Sequence, residues 1–221
     1  MSMHYSLKSV LVLLLFILSN SSFAKDYVVE MVFFANIKSG IDSVHISNQA
    51  VIPDLSNALS LSQANSNGFV PLDADTFQLS NKAHALAKSG SYKILKHISW
   101  LQPGLAKENA IAIRVHAGKD YKDEFKERSF AQADFSDRQI PTNHPVNELD
   151  GAVKIVLGRF LHLYTDLVYR KAFTLSSGDA LGRNRILADF PIKTHRKMRS
   201  KTLHYIDHPY LGILIEIRPV E

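Results

Sequence analysis

The sequence predicts an α+β fold: a single domain with a mainly antiparallel sheet and a short helix pair packed on one face. Three observations carry this. Runs rich in Val, Ile, Tyr and Phe stand near both ends of the chain, DYVVEMVFFA at 26–35 and GILIEIRP at 212–219, and that is the composition of strands. Between them, residues 78–104 place Leu79, Ala83, Leu86, Ile94, Ile98 and Leu101 at three- and four-residue spacings, the period of a helix. No repeat, linker or low-complexity tract divides the remainder, so the elements are expected to share one core.

The chain opens on Lys8 and the nine-residue apolar run Val10 to Leu18, followed by Ser22-Phe23-Ala24. The run is too short to span a bilayer as a helix, and the small residues at −3 and −1 suit a signal peptidase. A cleaved signal over residues 1–24 is therefore expected, leaving Lys25 as the N-terminus of a periplasmic protein with no membrane span. There is no cysteine, which excludes a lipoprotein cleavage site, disulfides and a thiol nucleophile. Loss of the signal leaves 25 Lys and Arg against 21 Asp and Glu, a formal charge of +4. Nucleic acid is scarce outside the cytoplasm, so this modest excess points to wall carboxylates or lipopolysaccharide phosphates instead.

Asp26 to Ala35 reads as a central strand, since both faces are apolar apart from Glu30. From Asn36 to Thr76 the chain turns to Ser, Asn, Asp and Gly, a long insertion with at most short elements. The helical spacing that follows is read as two short helices, split near Ser89-Gly90 and stopped by Pro103. Ala110 to His116 is a strand, and Gly118 opens a charged loop. Leu149 to Tyr169 fits helix and strand spacing about equally; Gly151, Gly158 and many β-branched residues favour a long strand with a bulge at Gly158. Ile186 to Phe190 reads as an edge strand, His195 to Asp207 as one extended strand, DHPYLG as a turn and Gly212 to Arg218 as a buried strand. The expected core is Val29, Val32, Phe33, Leu163, Leu203, Ile213 and Ile215, in one continuous sheet.

The ten histidines raise a metal site, but no HExxH occurs, and His204 and His208 stand four apart where no helix is expected. No metal and no cofactor are expected. Ser176-Ser177-Gly178 lacks the first glycine of a nucleophile elbow, and GDALGRN lacks the Lys-Ser/Thr of a phosphate loop. Asp123 with Glu124, Glu148 with Asp150, or Asp207 between two histidines would be the groups available to an envelope polymer hydrolase. Nothing in the sequence demands an enzyme.

The densest run of positive charge is HRKMRSK at 195–201. On one extended strand His195, Lys197, Arg199 and Lys201 share a face, continued by Leu203 and Tyr205. Such a stripe guards an edge strand against aggregation, or it binds an anionic polymer with Tyr205 as an aromatic platform; Arg170, Lys171, Arg183 and Arg185 stand near enough in sequence to add to it.

Two long stretches, ELDGAVKIVLGRFLHLYTDLVYR (148–170) and HRKMRSKTLHYIDHPYLGILIEI (195–217), resemble the CsiV family of periplasmic peptidoglycan-binding proteins. The segments YVVEMVFFAN and YKILKHISWLQP agree with it, whereas Asn36 to Thr76 shows no such likeness. The resemblance implies a non-enzymatic protein that binds peptidoglycan. It also implies support of wall synthesis by a class A penicillin-binding protein and its outer-membrane lipoprotein activator. It assigns no binding residues. The expected peptidoglycan site, Lys197, Arg199, Lys201, Tyr205 and His195, rests on charge and face alone.

Overall fold

Strand β1 (Asp26–Asn36) is apolar on both sides because it is buried on both. Val29, Met31, Phe33 and Ala35 point to one side and Glu30, Val32 and Phe34 to the other, and all seven are closed to solvent. In the computed structural model, which describes residues 25–39, 50–125, 145–174 and 185–220, β1 lies at the centre of a five-stranded sheet. Its order is β3 (Val70–Pro71), β4 (Tyr92–Pro103), β1, β10 (Leu211–Pro219), β9 (His204–Ile206), antiparallel throughout. A second sheet has the order β2 (Ala58–Leu59), β5 (Ala112–Asp120), β6 (Asn147–Leu157), β7 (Leu161–Thr174), β8 (Arg185–Met198). Among the described residues only the short β2–β5 pairing is parallel.

The two sheets pack face to face. Val29, Met31, Phe33, Trp100, Ile213 and Ile215 of the first join Val153, Ile155, Leu163, Leu167, Phe190 and Ile192 of the second in one apolar cluster. The expected core is therefore divided between two sheets, with Leu163 in the second. Leu203 is not part of it, since it stands 37% exposed in the connection between β8 and β9. The signal expected over residues 1–24, Ser176-Ser177-Gly178, GDALGRN and Arg183 lie outside the described residues. Among the described residues no helix is long and apolar enough to cross a membrane.

Helix content is smaller than expected, and among the described residues the fold is mostly β with two short helices. Helix α1 (Leu61–Ala64) starts with a capping box in which the Ser60 hydroxyl accepts the Gln63 N–H and Gln63 returns the bond. Helix α2 (Ser80–Lys88) ends at Gly90, whose φ of 66° suits a residue without Cβ. Leu79, Ala83 and Leu86 pack on Val32 and Phe34 of β1, on the side away from the second sheet. The second expected helix is strand β4. A bulge opposite Phe33 and Phe34 pairs them with Lys96 and Ile94, leaving Leu95 between. This shifts the phase of alternation, so that Ile94 packs beneath α2 while Leu95 and Ile98 pack against the inter-sheet core. An interrupted period of two reads as a period of three to four.

Two further expectations change in the same way. The long strand over Leu149 to Tyr169 is the β6–β7 hairpin, turning at Gly158-Arg159-Phe160, where the Gly158 N–H donates to the Phe160 carbonyl at 3.0 Å. Gly158 is thus a turn residue and not a bulge. The single strand over His195 to Asp207 is two strands of different sheets. β8 ends at Met198, Lys201 adopts a left-handed φ of 57° with its N–H donating to the Ile217 carbonyl at 2.8 Å, and β9 then pairs with β10.

Candidate functional site

The outer face of the second sheet, opposite the core, is only partly covered. Residues 50–58 cross it, tied down by charged side chains. Arg170, closed to solvent, donates from Nη1 to the Asn147 carbonyl at 2.9 Å and from Nη2 to the Val51 carbonyl at 3.3 Å. Asp189, opposite Arg170 on β8, lies 3.7 Å from its Nε and accepts the Val51 N–H at 2.7 Å. Further along, Asp166 accepts the Asp54 N–H at 3.2 Å and faces Lys193 at 3.4 Å. Asp54 accepts the Ser56 hydroxyl at 2.7 Å and the Ser56 N–H at 3.0 Å. Those bonds, with Lys193 nearby, hold the Asp54 carboxyl below the usual carboxylate range.

Beyond this strap the face is open, and the strand register sets what it presents. Lys154, Tyr164 and His195 form one cross-strand row, and Val156, His162 and Lys197 the next. The Tyr164 and His195 rings stack at 4.3 Å with 3° between their planes. Lys154 Nζ lies 5.7 Å from the Tyr164 ring centre, and His162 Nδ1 lies 2.9 Å from His195 Nε2. At the hairpin turn Phe160, 41% exposed, carries Lys197 Nζ 3.3 Å above its ring and the Arg159 guanidinium 5.6 Å away. The result is a strip in which cations alternate with aromatic rings. A cleft of about 330 Å³ opens between the strip and the strap, walled by Asp54, Ser56, Lys154, Tyr164, Asp166 and Lys193. A second, of about 270 Å³, lies at the hairpin end between Tyr27, Phe160, Met198 and Arg199.

The structure brings together His195 and Lys197 of the expected site and leaves Arg199 at the rim of the smaller cleft. Lys201 lies in the crossover between sheets. Tyr205 is on the other side of the molecule. It stacks on Phe34 at 6.1 Å on the outer face of the first sheet, and its hydroxyl donates to Asp207 at 2.6 Å. The supporting cations are also elsewhere: Arg170 is buried, Lys171 donates to the Ser39 carbonyl at 2.7 Å, and Arg185 pairs with Glu124. The ring beside His195 is that of Tyr164, and Lys154, His162, Phe160 and Arg159 stand with it; the sequence singles out none of the five. Their signal is alternation: Lys154 between Val153 and Ile155, and His162 and Tyr164 flanking Leu163, are the outward residues of strands whose inward residues are core.

Among the groups considered for hydrolysis, Glu148, Asp150, His204 and His208 are each engaged separately. Glu148 accepts Lys93 Nζ at 2.8 Å and the Lys119 N–H at 3.0 Å, and Asp150 pairs with Arg114 at 3.1 Å. His204 accepts the Arg199 N–H at 3.1 Å, and His208, among the rings of Phe190 and Tyr210, accepts the Tyr210 N–H at 3.3 Å. Such an arrangement suits recognition of a polymer that offers carboxylates to the cations and sugar or peptide faces to the rings. No curated protein and no solved structure matches the chain. Residues 7–220, nearly its whole length, match the model of a family described as peptidoglycan-binding protein, CsiV, and the chain belongs to that family.

Proposed function

We propose that the protein binds peptidoglycan through the open strip on the outer face of its second sheet, without cleaving it. One observation carries this placement: the stacked Tyr164 and His195 rings flanked by Lys154 and Lys197. Stem carboxylates pair with the lysines, while the Tyr164–His195 platform and Phe160 take apolar sugar or peptide faces. Each exposed cation contributes on the order of 1 kcal/mol or less, and a ring face about 0.5–1.5 kcal/mol, so affinity comes from the set rather than from any member. Lys197 serves as a cation for stem carboxylates, and His195 as half of the ring platform. Arg199 and Lys201 extend the strip toward the crossover, and Tyr205 belongs to a separate surface.

The test is sedimentation with purified sacculi, followed by analysis of released muropeptides. Replacing Lys154 and Lys197 by Gln together with Tyr164 by Ala should weaken binding about 30- to 100-fold, the equivalent of about 2–3 kcal/mol, with the fold retained by circular dichroism. Undiminished binding would move the site elsewhere, and muropeptides released by the wild type would show a hydrolase. Competition with lipopolysaccharide separates the two anionic polymers of the envelope. The reading extends to place and partners: an exported, periplasmic protein, released from its signal at Lys25, which holds peptidoglycan in support of a class A penicillin-binding protein and its outer-membrane lipoprotein activator. Co-purification of those partners with the wild type checks that extension.

A further inference from the structure

A strip that only attracts anions has no use for carboxylates, yet the larger cleft beside it carries two. Asp166 Oδ2 holds the Asp54 N–H at 3.2 Å and faces Lys193 Nζ at 3.4 Å. Its Oδ1 is shielded from solvent and, among the described residues, accepts no hydrogen bond. The carboxylate is thus short of one donor, and its side chain, 28% exposed, lines the cleft. Lys193 faces Oδ2 rather than Oδ1, and with its side chain 60% exposed that ion pair in water is worth little. Asp54 lies beside it in the same wall, ionised and held in place by Ser56.

A second cation, Lys154, stands one row away. Asp166 belongs to the row Ala152–Asp166–Lys193 and Lys154 to the row Lys154–Tyr164–His195, two residues further along each strand. That offset is about 7 Å at the rise of a β-strand. The floor between them is small, with Ala58, Ala112 and Ala152 among the lining residues. At about 330 Å³ the cleft is at the low end of ligand sites, with room for one or two amino-acid residues.

We propose that this cleft binds an amino-acid residue bearing a free primary ammonium and a carboxylate, with the ammonium on Asp54 and Asp166 and the carboxylate at Lys154. In the polymer proposed above, on which this inference rests, that residue is the diamino acid of a peptide stem not yet cross-linked. Cross-linking acylates the amine, turning the cation into a neutral amide with a second chain attached. Such a product loses the charge that the aspartates read and outgrows the cleft. The strip then recognises the polymer in general, and the cleft selects stems that a transpeptidation has yet to consume.

Acetylating the free amines of purified sacculi with acetic anhydride tests this. Acetylation makes the polymer more negative, so attraction to the lysines alone predicts tighter binding. The cleft predicts the reverse: about a tenfold loss for the wild-type protein in sedimentation against acetylated sacculi. Asp54→Asn should bind native and acetylated sacculi alike, at the lower level, with the fold retained by circular dichroism. Equal or tighter wild-type binding to acetylated sacculi overturns the inference and leaves peptidoglycan binding intact, as does an Asp54→Asn protein that keeps the preference for native sacculi. Wild-type protein that sediments with neither form overturns the underlying reading as well. Were Asp54→Asn to misfold, the wild-type comparison alone decides.

Discussion

Glu30 shows how one residue decides a neighbourhood. It lies in the middle of β1, closed to solvent, and accepts four donors: the Leu79 N–H at 2.7 Å, the Gln78 N–H at 3.0 Å, His97 Nε2 at 2.9 Å and Arg218 Nη2 at 3.1 Å. The first two lie at the start of α2, whose first turn has no side-chain cap of its own, so a strand carboxylate does the capping. Burial alone would raise its pKa, but the backbone donors of Leu79 and Gln78, with His97 and Arg218, outweigh that and bring it below the ordinary 4.5. A carboxyl whose folded pKa is depressed contributes stability above its unfolded pKa and loses it as pH falls through the folded value. Stability should therefore drop below about pH 4.5, and Glu30→Gln should flatten that drop. The same change leaves Arg218 without its buried partner and should cost on the order of 3 kcal/mol at pH 7, read from urea unfolding at both pH values. An unchanged urea midpoint at pH 7 would show that the network holds no stabilising charge.

At the scale of elements, the legible parts of the sequence were those with unbroken alternation. β1 is apolar on both faces and central, and β8 keeps a period of two, so His195 and Lys197 were rightly placed on one face. What failed was continuity. Nothing in HRKMRSKTLHY marks the left-handed Lys201 that carries the chain from one sheet to the other, because a non-glycine residue at positive φ leaves no compositional trace. The same run of charge therefore serves two places. Tyr164, on which the candidate site depends, comes from a neighbouring strand whose register is set by the three-residue turn at Gly158 to Phe160, a pairing no single stretch encodes. The division has a measurable consequence. Lys197→Gln should weaken sedimentation with sacculi up to about fivefold, the equivalent of ~1 kcal/mol, whereas Tyr205→Ala should leave it unaltered. Equal losses from the two changes would mean that the polymer wraps both faces of the molecule.

At the scale of the whole molecule, two systems hold the proposed binding face, and they can be loosened separately. The inter-sheet core is the first. Ile215 is fully buried in it, and Ile215→Ala should cost about 2–5 kcal/mol, as large-to-small core changes do, with the melting temperature falling for every element together. The second is the polar fastening of residues 50–58, in which Arg170 and Asp189 together satisfy both the carbonyl and the N–H of Val51. A buried ion pair gains little over an apolar pair of the same shape, but removing one partner strands the other charge. Asp189→Ala should therefore cost about 3–5 kcal/mol, and it should free the Val51 amide specifically. Hydrogen exchange would then accelerate at residues 50–58 ahead of β1 and β10, since local opening needs only the strap to lift. The strap carries Asp54 and Ser56, so sedimentation with sacculi should weaken although no side chain of the strip has changed. Replacing both partners, with Arg170→Met and Asp189→Leu, should restore much of the stability without restoring protection at Val51 or full binding. Recovery of binding along with stability in the double variant would mean that the sheet face alone is the site, and that the strap serves only to shield it.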